Sequence, residues 1–182
     1  ILRRAWISDD AYITFRTVDN LINGYRLTWN TVERVQAYTH PLWMFLVSFF
    51  YFFTREIFIT VTALSLAVSL ITAGLFTARL AISAATAAAG VFILSLSNAY
   101  VDYSTSGLEN PLTPLLLALF FMVYFSGPHS NRKLFLLSML ASLGMVNRLD
   151  TALLYFFPLM YMIWKNRRWS GFLAAVHGQF PI

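Results

Sequence analysis

Residues 57–78 read IFITVTALSLAVSLITAGLFTA, a run of 22 residues without a charged side chain. An α-helix rises by ~1.5 Å per residue, so a helix of this length would cross the ~30 Å hydrocarbon core of a bilayer. The run therefore predicts a transmembrane helix. The neighbouring sequence must then be interpreted as part of a membrane protein.

The composition of the whole chain also indicates a membrane environment. Of its 182 residues, 58% are hydrophobic and only 12% are charged, and the mean hydropathy is +0.63. A soluble domain of this length could not bury so much apolar surface, so lipid is the expected solvent. The formal net charge of +5 then indicates Lys and Arg in cytoplasmic loops, and no nucleic-acid partner is expected. The absence of cysteine excludes disulfides and thiolate metal sites.

Further apolar runs follow the first, at residues 80–101, 112–126, 134–146 and 151–164. The last two would cover only ~20 Å as helices, which is too short for an unaided crossing. The predicted fold is an all-α, polytopic membrane helix bundle with about five crossings, formed by residues 57–182. Residues 1–56 are predicted to form an extracytoplasmic loop with short juxtamembrane helices. The chain starts without Met and ends as abruptly, so we expect it to be a piece from the N-terminal part of a larger polytopic protein, without an earlier transmembrane helix of that protein.

The distribution of charge predicts which ends of these helices face outward. If all five runs cross, one side of the membrane receives six basic and no acidic residues: Arg79, Arg132, Lys133, Lys165, Arg167 and Arg168. The other side receives all eight acidic residues: Asp9, Asp10, Asp19, Glu33, Glu56, Asp102, Glu109 and Asp150. The positive-inside rule makes the basic side cytoplasmic, so the acidic residues are predicted to be extracytoplasmic. This assignment requires that the short aromatic run 41–53 lie in the outer interface or dip in and return; a crossing there would invert every later side.

A charged turn, Asn147-Arg148-Leu149-Asp150, divides residues 134–164. One continuous helix would hold Arg148 and Asp150 in mid-bilayer, whereas two short helices joined at the turn keep Lys133 and Lys165 on the same side. Two helices fit the charges better. Their shortness places the turn below the membrane surface, where irregular backbone is tolerated if it lines a cavity.

The polar segment before the first crossing carries its own helical pattern. Apolar residues recur at helical spacing over residues 10–22, Ser8 or Asp9 can act as the N-cap, and Asn23-Gly24 supplies a stop. This predicts a short amphipathic helix at the membrane surface. Residues 27–30 are predicted to be extended, and His40-Pro41 to begin the next helix. Asp9 and Asp10 could serve only the helix cap and dipole, and Arg16 and Asp19 could form a surface ion pair.

Three motifs carry a family resemblance. The first combines DDAYITFR at residues 9–16 and ERVQAYTHPLW at residues 33–43 with Asn20-Leu21, Gly24, Leu27 and Trp29-Asn30 between them. It resembles the first extracytoplasmic loop of bacterial GT-C glycosyltransferases, above all the group that includes the mycobacterial terminal arabinofuranosyltransferase. The turns SGLE at residues 106–109 and NRLD at residues 147–150 are similar to later motifs of that group. Ala37, His40 and Leu149 depart from residues common there, but none of these departures removes a charged group.

The resemblance implies an enzyme of the bacterial plasma membrane with its active site on the extracytoplasmic face. It implies transfer of a sugar from a polyprenyl-phosphate donor to a glycan, lipid or protein acceptor, with inversion in a single displacement. Such a reaction needs a carboxylate to accept the acceptor's proton and cationic or hydrogen-bonding groups for the departing phosphate.

The same resemblance suggests roles for the charged residues. Asp9 or Asp10 would be the general base, with Asp9 slightly favoured, and Arg16, Arg34 and Arg148 would bind the donor phosphate through their guanidinium forks. Candidate substrate-binding residues are Glu33, Tyr38, Thr39, His40, Glu109 and Asp150. The carboxylates are compatible with a divalent cation such as Mg²⁺, Mn²⁺ or Ca²⁺, held by Asp9 and Asp10 if by any residues, but no ligand spacing specifies one.

Two other functions remain open at this level. A secondary transporter or lipid flippase would also need intramembrane charges and short broken helices. An assembly protein could use the acidic loop to bind a partner, and it would tolerate replacement of Asp9 and Asp10 by Asn.

Overall fold

The computed structural model describes residues 6–33, 35, 37–166 and 178. Arg34, Arg167 and Arg168 of the predictions above therefore lie outside the described residues. Within the described ranges every regular element is helical, which confirms the all-α class. The α-helices are α1 (Asp9–Ile22), α2 (Pro41–Thr54), α3 (Ile57–Leu75), α4 (Ala84–Leu96), α5 (Asn98–Tyr103), α6 (Leu112–Phe125), α7 (Asn131–Asn147) and α8 (Ala152–Asn166).

The apolar run of residues 57–78 forms the longest helix of the described part. A π-helical stretch, Phe76–Leu80, extends α3, and together they make a helix of 24 residues, Ile57–Leu80, with a mean hydropathy of 2.1. Among the described residues it is the one helix long and apolar enough to cross a membrane, whereas α2, α4 and α6 are apolar but shorter. A bundle with about five crossings therefore remains a prediction.

The prediction of one helix over residues 80–101 is wrong. Ser83 caps α4 through its hydroxyl, which accepts from the backbone N–H of Thr86, while the Thr86 hydroxyl accepts from the N–H of Ser83. Ser97 then caps α5 by accepting from the N–H of Tyr100. The hydroxyls of these two serines bond to nearby backbone groups and so compete with a continuous helix. A prediction based only on the length of an apolar run does not take this competition into account.

Helix α1 matches its predicted bounds within one residue. Its buried face is formed by Ala11, Phe15 and Val18, which recur at helical spacing, while Asp9 and Asp10 in its first turn are exposed. Ser8 occupies the N-cap position and its N–H donates to the carbonyl of Ser106 at 2.9 Å. The amphipathic pattern thus determines that this segment is helical, and the contact with Ser106 positions the start of the helix against the turn that follows α5.

Trp43 joins the polar segment to the helix bundle. Its side chain is fully buried in the first turns of α2, and its indole N–H donates to the carbonyl of Gly107 at 2.9 Å. Gly107 has a φ of +84°, and a Cβ there would lie 2.9 Å from both Ala11 Cβ and Phe15 Cζ. Only glycine combines that backbone conformation with so close an approach of α1.

Helices α6, α7 and α8 run in alternating directions. The start of α6, the end of α7 and the start of α8 therefore lie at the same end of the bundle. At one end the Asn147 side chain of α7 donates to Thr113 Oγ1 of α6 at 3.2 Å. At the other end Lys133 of α7 donates from Nζ to the carbonyl of Ser126, just beyond α6, at 2.6 Å. The turn at residues 147–150 joins α7 to α8 as predicted, with a 3-10 turn, Leu149–Thr151, leading into α8.

Replacing Gly107 with Ala should lower the free energy of unfolding more than replacing Gly24 with Ala. Both glycines have nearly the same positive φ, +84° and +82°, but a Cβ at Gly24 would meet nothing within 4 Å. The left-handed backbone alone costs a non-glycine residue roughly 1–2 kcal/mol. Overpacking against α1 should add about 1–3 kcal/mol at Gly107.

Thermal unfolding of the two variants in detergent measures the difference. Equal losses in melting temperature would contradict the close packing of α1 on Gly107, because the strained backbone is common to both positions.

Candidate active site

An open cleft of about 1290 Å³ lies where the start of α1, the end of α5 and the turn between α7 and α8 come together. The polar residues that line it are Ser8, Asp10, Tyr38, Thr39, Ser97, Tyr100, Tyr103, Ser104, Glu109, Asn110, Thr113, Arg148, Asp150 and Thr151. Asp10, Glu109 and Asp150, three of the acidic residues predicted for the extracytoplasmic side, meet in one cleft at the end of the bundle opposite to Lys133.

Glu109 lies at the inner wall of this cleft. Its side chain is 12% exposed, and the carboxylate lies with Oε2 at 3.2 Å from Nδ1 of His40 and Oε1 at 3.6 Å from Nη1 of Arg148. A carboxylate removed from water is costly unless it is paired and hydrogen-bonded. His40 and Arg148 supply those partners from the start of α2 and the end of α7.

Arg148 is shared among three side chains from two turns. Its Nε donates to both carboxylate oxygens of Asp150, at 2.9 and 3.0 Å, and its Nη1 donates to Asn110 Oδ1 at 3.1 Å. These bonds hold the guanidinium plane against the cleft while 45% of the side chain stays exposed. The guanidinium is therefore oriented and still accessible to a ligand.

His40 is buried behind Glu109 at the N-cap position of α2. Its Nε2 is 2.8 Å from the hydroxyl of Thr14 in α1. A neutral ring that donates from Nδ1 to Glu109 and accepts from Thr14 at Nε2 satisfies both contacts. Burial lowers the pKa of His40 below its usual 6.5, and the Glu109 carboxylate opposes that shift only in part. His40 is thus a neutral link between α1 and Glu109.

Asn147 fixes the backbone of the Glu109 turn. It is fully buried, and its Nδ2 donates to the carbonyl of Glu109 at 3.3 Å as well as to Thr113. The sequence analysis missed Asn147 and Asn110 as contributors to the site. Asn147 is the first residue of the NRLD turn and Asn110 directly follows the SGLE turn, and that position is the signal by which they could have been found.

The two candidate bases occupy different positions. Asp10 lines the cleft. Asp9 is exposed and accepts at Oδ1 from the Asp10 N–H at 3.1 Å and from the Ser8 hydroxyl at 3.3 Å. Asp9 therefore contacts its neighbours at the start of α1 without capping the helix, whereas Asp10 lies where a ligand in the cleft would meet it.

The remaining candidates divide between the cleft and a second location. Tyr38 and Thr39 line the cleft. Arg16 does not; its guanidinium lies 4.5 Å from the centre of the Trp29 ring and donates to Asn30. Glu33 lines a separate hollow formed by residues 24–33.

Arg16 and Asp19 each have other partners in the structure than the surface ion pair considered for them. While Arg16 packs on Trp29, the Asp19 carboxylate accepts from the hydroxyl of Tyr51 in α2 at 2.7 Å and from Asn23 at 2.9 Å. Asp19 thus joins α1 to the far end of α2.

The described residues hold no group of three or more His, Asp or Glu side chains arranged to share a metal ion. Asp9 and Asp10 together offer at most two such side chains, and Asp9 is already engaged with backbone and Ser8. The donor set therefore gives no specific reason to place a divalent cation here, and no step of a reaction is assigned to one.

Comparison with curated proteins finds two relatives that carry the same name. A protein of Corynebacterium glutamicum named terminal beta-(1->2)-arabinofuranosyltransferase is 37% identical over 115 residues, which cover 58% of this chain and 16% of that protein. The Mycobacterium tuberculosis protein of the same name is 30% identical in an alignment 205 positions long, which covers 98% of this chain and 33% of that protein. The chain is a distant relative of these arabinofuranosyltransferases. This confirms the resemblance carried by the motifs.

The chain spans a third or less of the length of these two relatives. No protein-family model and no solved structure matches it. The alignment with the mycobacterial relative extends over nearly the whole chain, so it includes both the polar segment and the turns that form the cleft.

The stability of the protein should fall as the pH drops below about 6.5, in part because of His40. Since the pKa of His40 is lowered in the folded protein, the unfolded chain takes up a proton that the folded chain resists, and protonation favours unfolding. This contribution is fully present above the unfolded pKa and is lost as the pH falls through the window beneath it.

Replacement of His40 by Asn removes the titrating ring and keeps hydrogen-bonding atoms. Melting temperatures of both proteins at about pH 7.5 and about pH 5.5 isolate the effect, since all other titrating groups are shared. A wild type that loses no more stability than the variant on acidification would contradict the neutral, buried ring.

Proposed function

We propose that the full-length protein is an integral-membrane glycosyltransferase of the GT-C type, which moves a sugar from a polyprenyl-phosphate donor to a glycan, lipid or protein acceptor of the cell envelope. The observation that carries the proposal is the cleft, where Asp10, Glu109 and Arg148 meet from segments far apart in the chain. The name shared by the two relatives favours an arabinofuranosyl group as the sugar.

Asp10 is the proposed general base. Its exposed carboxylate lies on the cleft, where it can accept the proton of an acceptor hydroxyl as that oxygen attacks the anomeric carbon. The bond from the anomeric carbon to the phosphate oxygen breaks, and the polyprenyl phosphate leaves with the bonding electrons. One displacement of this kind inverts the anomeric centre.

Arg148 is the proposed partner of the leaving phosphate. Its guanidinium is held by Asp150 and Asn110 and still faces the cleft, so a phosphate needs no reorganisation of the protein to be bound. Against this one guanidinium the described lining has three carboxylates, those of Asp10, Glu109 and Asp150. That excess suits the positive charge which develops on a sugar ring as its leaving group departs, and it confines the phosphate to the corner beside Arg148.

The apolar part of the lining offers a path for the lipid tail of the donor. Leu94, Pro114, Leu149 and Leu154 border the cleft, and the last two are more than half exposed. An apolar wall that continues from the polar corner to the outer surface of α8 suits a ligand with a charged head and a hydrocarbon chain. We propose that this side of the cleft opens laterally into the bilayer.

The proposed orientation places the cleft on the extracytoplasmic face of the bacterial plasma membrane. In its support, the acidic cleft and the basic residues Lys133 and Lys165 lie at opposite ends of α6, α7 and α8. The positive-inside rule then directs the Lys133 end to the cytoplasm.

Replacement of Asp10 by Asn should lower the rate of sugar transfer by about 10²–10⁴, the usual contribution of a positioned base. Replacement of Asp9 by Asn should lower it by less than about tenfold, because that side chain meets the start of α1 and a lost bond of this kind is worth ~1 kcal/mol. The measurement is transfer by the purified full-length protein from a polyprenyl-phosphate arabinofuranose to an oligosaccharide acceptor.

The paired variants control for one another, since both remove one exposed carboxylate from the same helical turn. Full activity in the Asp10 variant would refute its role as the base, and the reverse ranking would assign the role to Asp9. A wild-type protein that transfers no sugar from any polyprenyl-phosphate donor would refute the proposed function itself.

Replacement of Arg148 by Lys should raise the KM for the donor by about tenfold and leave the KM for the acceptor unchanged, because Lys keeps the charge but loses the fork. Replacement by Ala should cost more, since Glu109 would also lose its cationic partner. Arg132, exposed at the opposite end of α7, supplies the control variant Arg132→Ala. Equal effects on the two substrates would contradict a specific contact with the donor.

A further inference from the structure

The hollow formed by residues 24–33 takes no part in the reaction proposed above. It measures about 540 Å³, which falls within the ~300–1,000 Å³ typical of ligand sites. It shares no lining residue with the cleft. It lies beyond the C-terminal end of α1, whereas Asp10 lies at the N-terminal end of that helix.

Hydrogen bonds within the loop preform this hollow. Asn20 of α1 donates from Nδ2 to the carbonyls of Thr28 and Trp29, at 2.9 and 3.1 Å. The Thr28 hydroxyl donates to the carbonyls of Asn30 and Glu33, at 2.6 and 2.9 Å. These bonds turn the backbone at residues 27–30 into a bend, so the extended piece predicted there is wrong.

Three side chains of the hollow remain available to a ligand. Tyr25 is 59% exposed, and Arg26 and Glu33 are also exposed. Arg26 has a φ of +76°, a conformation that costs a non-glycine residue ~1–2 kcal/mol. The loop holds it there through its carbonyl, which accepts from the N–H of Thr28 at 3.1 Å. Strain retained at an exposed charged residue is more common at ligand sites than elsewhere.

The chemistry of the lining indicates the class of ligand. The charged side chains of its described lining are one guanidinium and one carboxylate, so these described groups balance in charge. Arg26 and Glu33 present planar arrays of donors and acceptors, which suit a ligand rich in hydroxyl groups. Tyr25 adds an apolar face with a polar tip. A neutral glycan fits this combination.

We propose that the hollow is a remote subsite for the acceptor glycan, which holds the chain while its end reaches Asp10. This inference rests on the proposed transferase function. The 14 residues of α1 separate the two places by ~20 Å, so an acceptor must be several sugar units long to occupy both. Short acceptors reach Asp10 without touching the hollow.

Acceptor length therefore provides the test. Tyr25→Ala and Arg26→Ala should each raise the KM of the full-length protein for a long arabinofuranosyl oligosaccharide by about tenfold, the effect of ~1.4 kcal/mol of lost contact. The KM for an arabinofuranosyl disaccharide and the KM for the donor should stay unchanged. Arg55→Ala is the matched control, since Arg55 is also an exposed arginine with a positive φ, +55°, and it lies outside the hollow.

Saturation-transfer NMR with the same long oligosaccharide supplies a second readout that needs no catalysis. Loss of binding in both hollow variants and not in the Arg55 variant supports the subsite, even if the wild type transfers no sugar and the proposed function fails. Binding and KM values for the long oligosaccharide that equal those of the wild type in both hollow variants overturn the subsite while leaving the proposed function intact. An equal rise in KM for the disaccharide overturns it as well, because such an effect would act at the cleft.

Discussion

The carboxylate of Glu109 is the constraint on which the cleft depends. The Glu109 side chain is only 12% exposed, and a carboxylate so far removed from water must be compensated by charge or hydrogen bonds. His40 brings the start of α2 to it, Arg148 brings the end of α7, and Asn147 holds its backbone carbonyl. Loss of His40 or Arg148 would remove a partner from the Glu109 carboxylate, so the start of α2, the end of α7 and the Glu109 turn are positioned together.

A second contact sets α1 against this arrangement. The buried indole of Trp43 donates to the carbonyl of Gly107, two residues before Glu109, and Gly107 in turn admits Ala11 and Phe15 of α1 to close contact. The same short turn therefore carries Glu109 and receives the helix that bears Asp10. This explains how an exposed residue at the start of a surface helix comes to line the same cleft as Arg148, which is more than a hundred residues away in the chain.

The local sequence pattern was sufficient to predict the ends of a helix wherever short-range interactions determine them. The bounds of α1 follow from its apolar spacing and from Gly24, the start of α2 from Pro41, and the division of α7 from α8 from the charged turn at residues 147–150. It failed where backbone and side chain competed locally. Ser83 and Ser97 split an apolar run into two helices, and the Thr28 hydroxyl bent a segment expected to be extended.

The sequence by itself determined the helical class, the acidic motif and the similarity to arabinofuranosyltransferases, because these depend on composition and order along the chain. It named Asp9 and Asp10 together, with Asp9 slightly favoured, and Arg16 and Glu33 as companions. Only the tertiary structure separated them. Adjacent residues of a helix project about 100° apart, so the packing of α1 on Gly107 turned Asp10 into the cleft and left Asp9 at the helix start. A pattern of residues cannot specify that rotation, because it is fixed by contacts with α2 and the Glu109 turn.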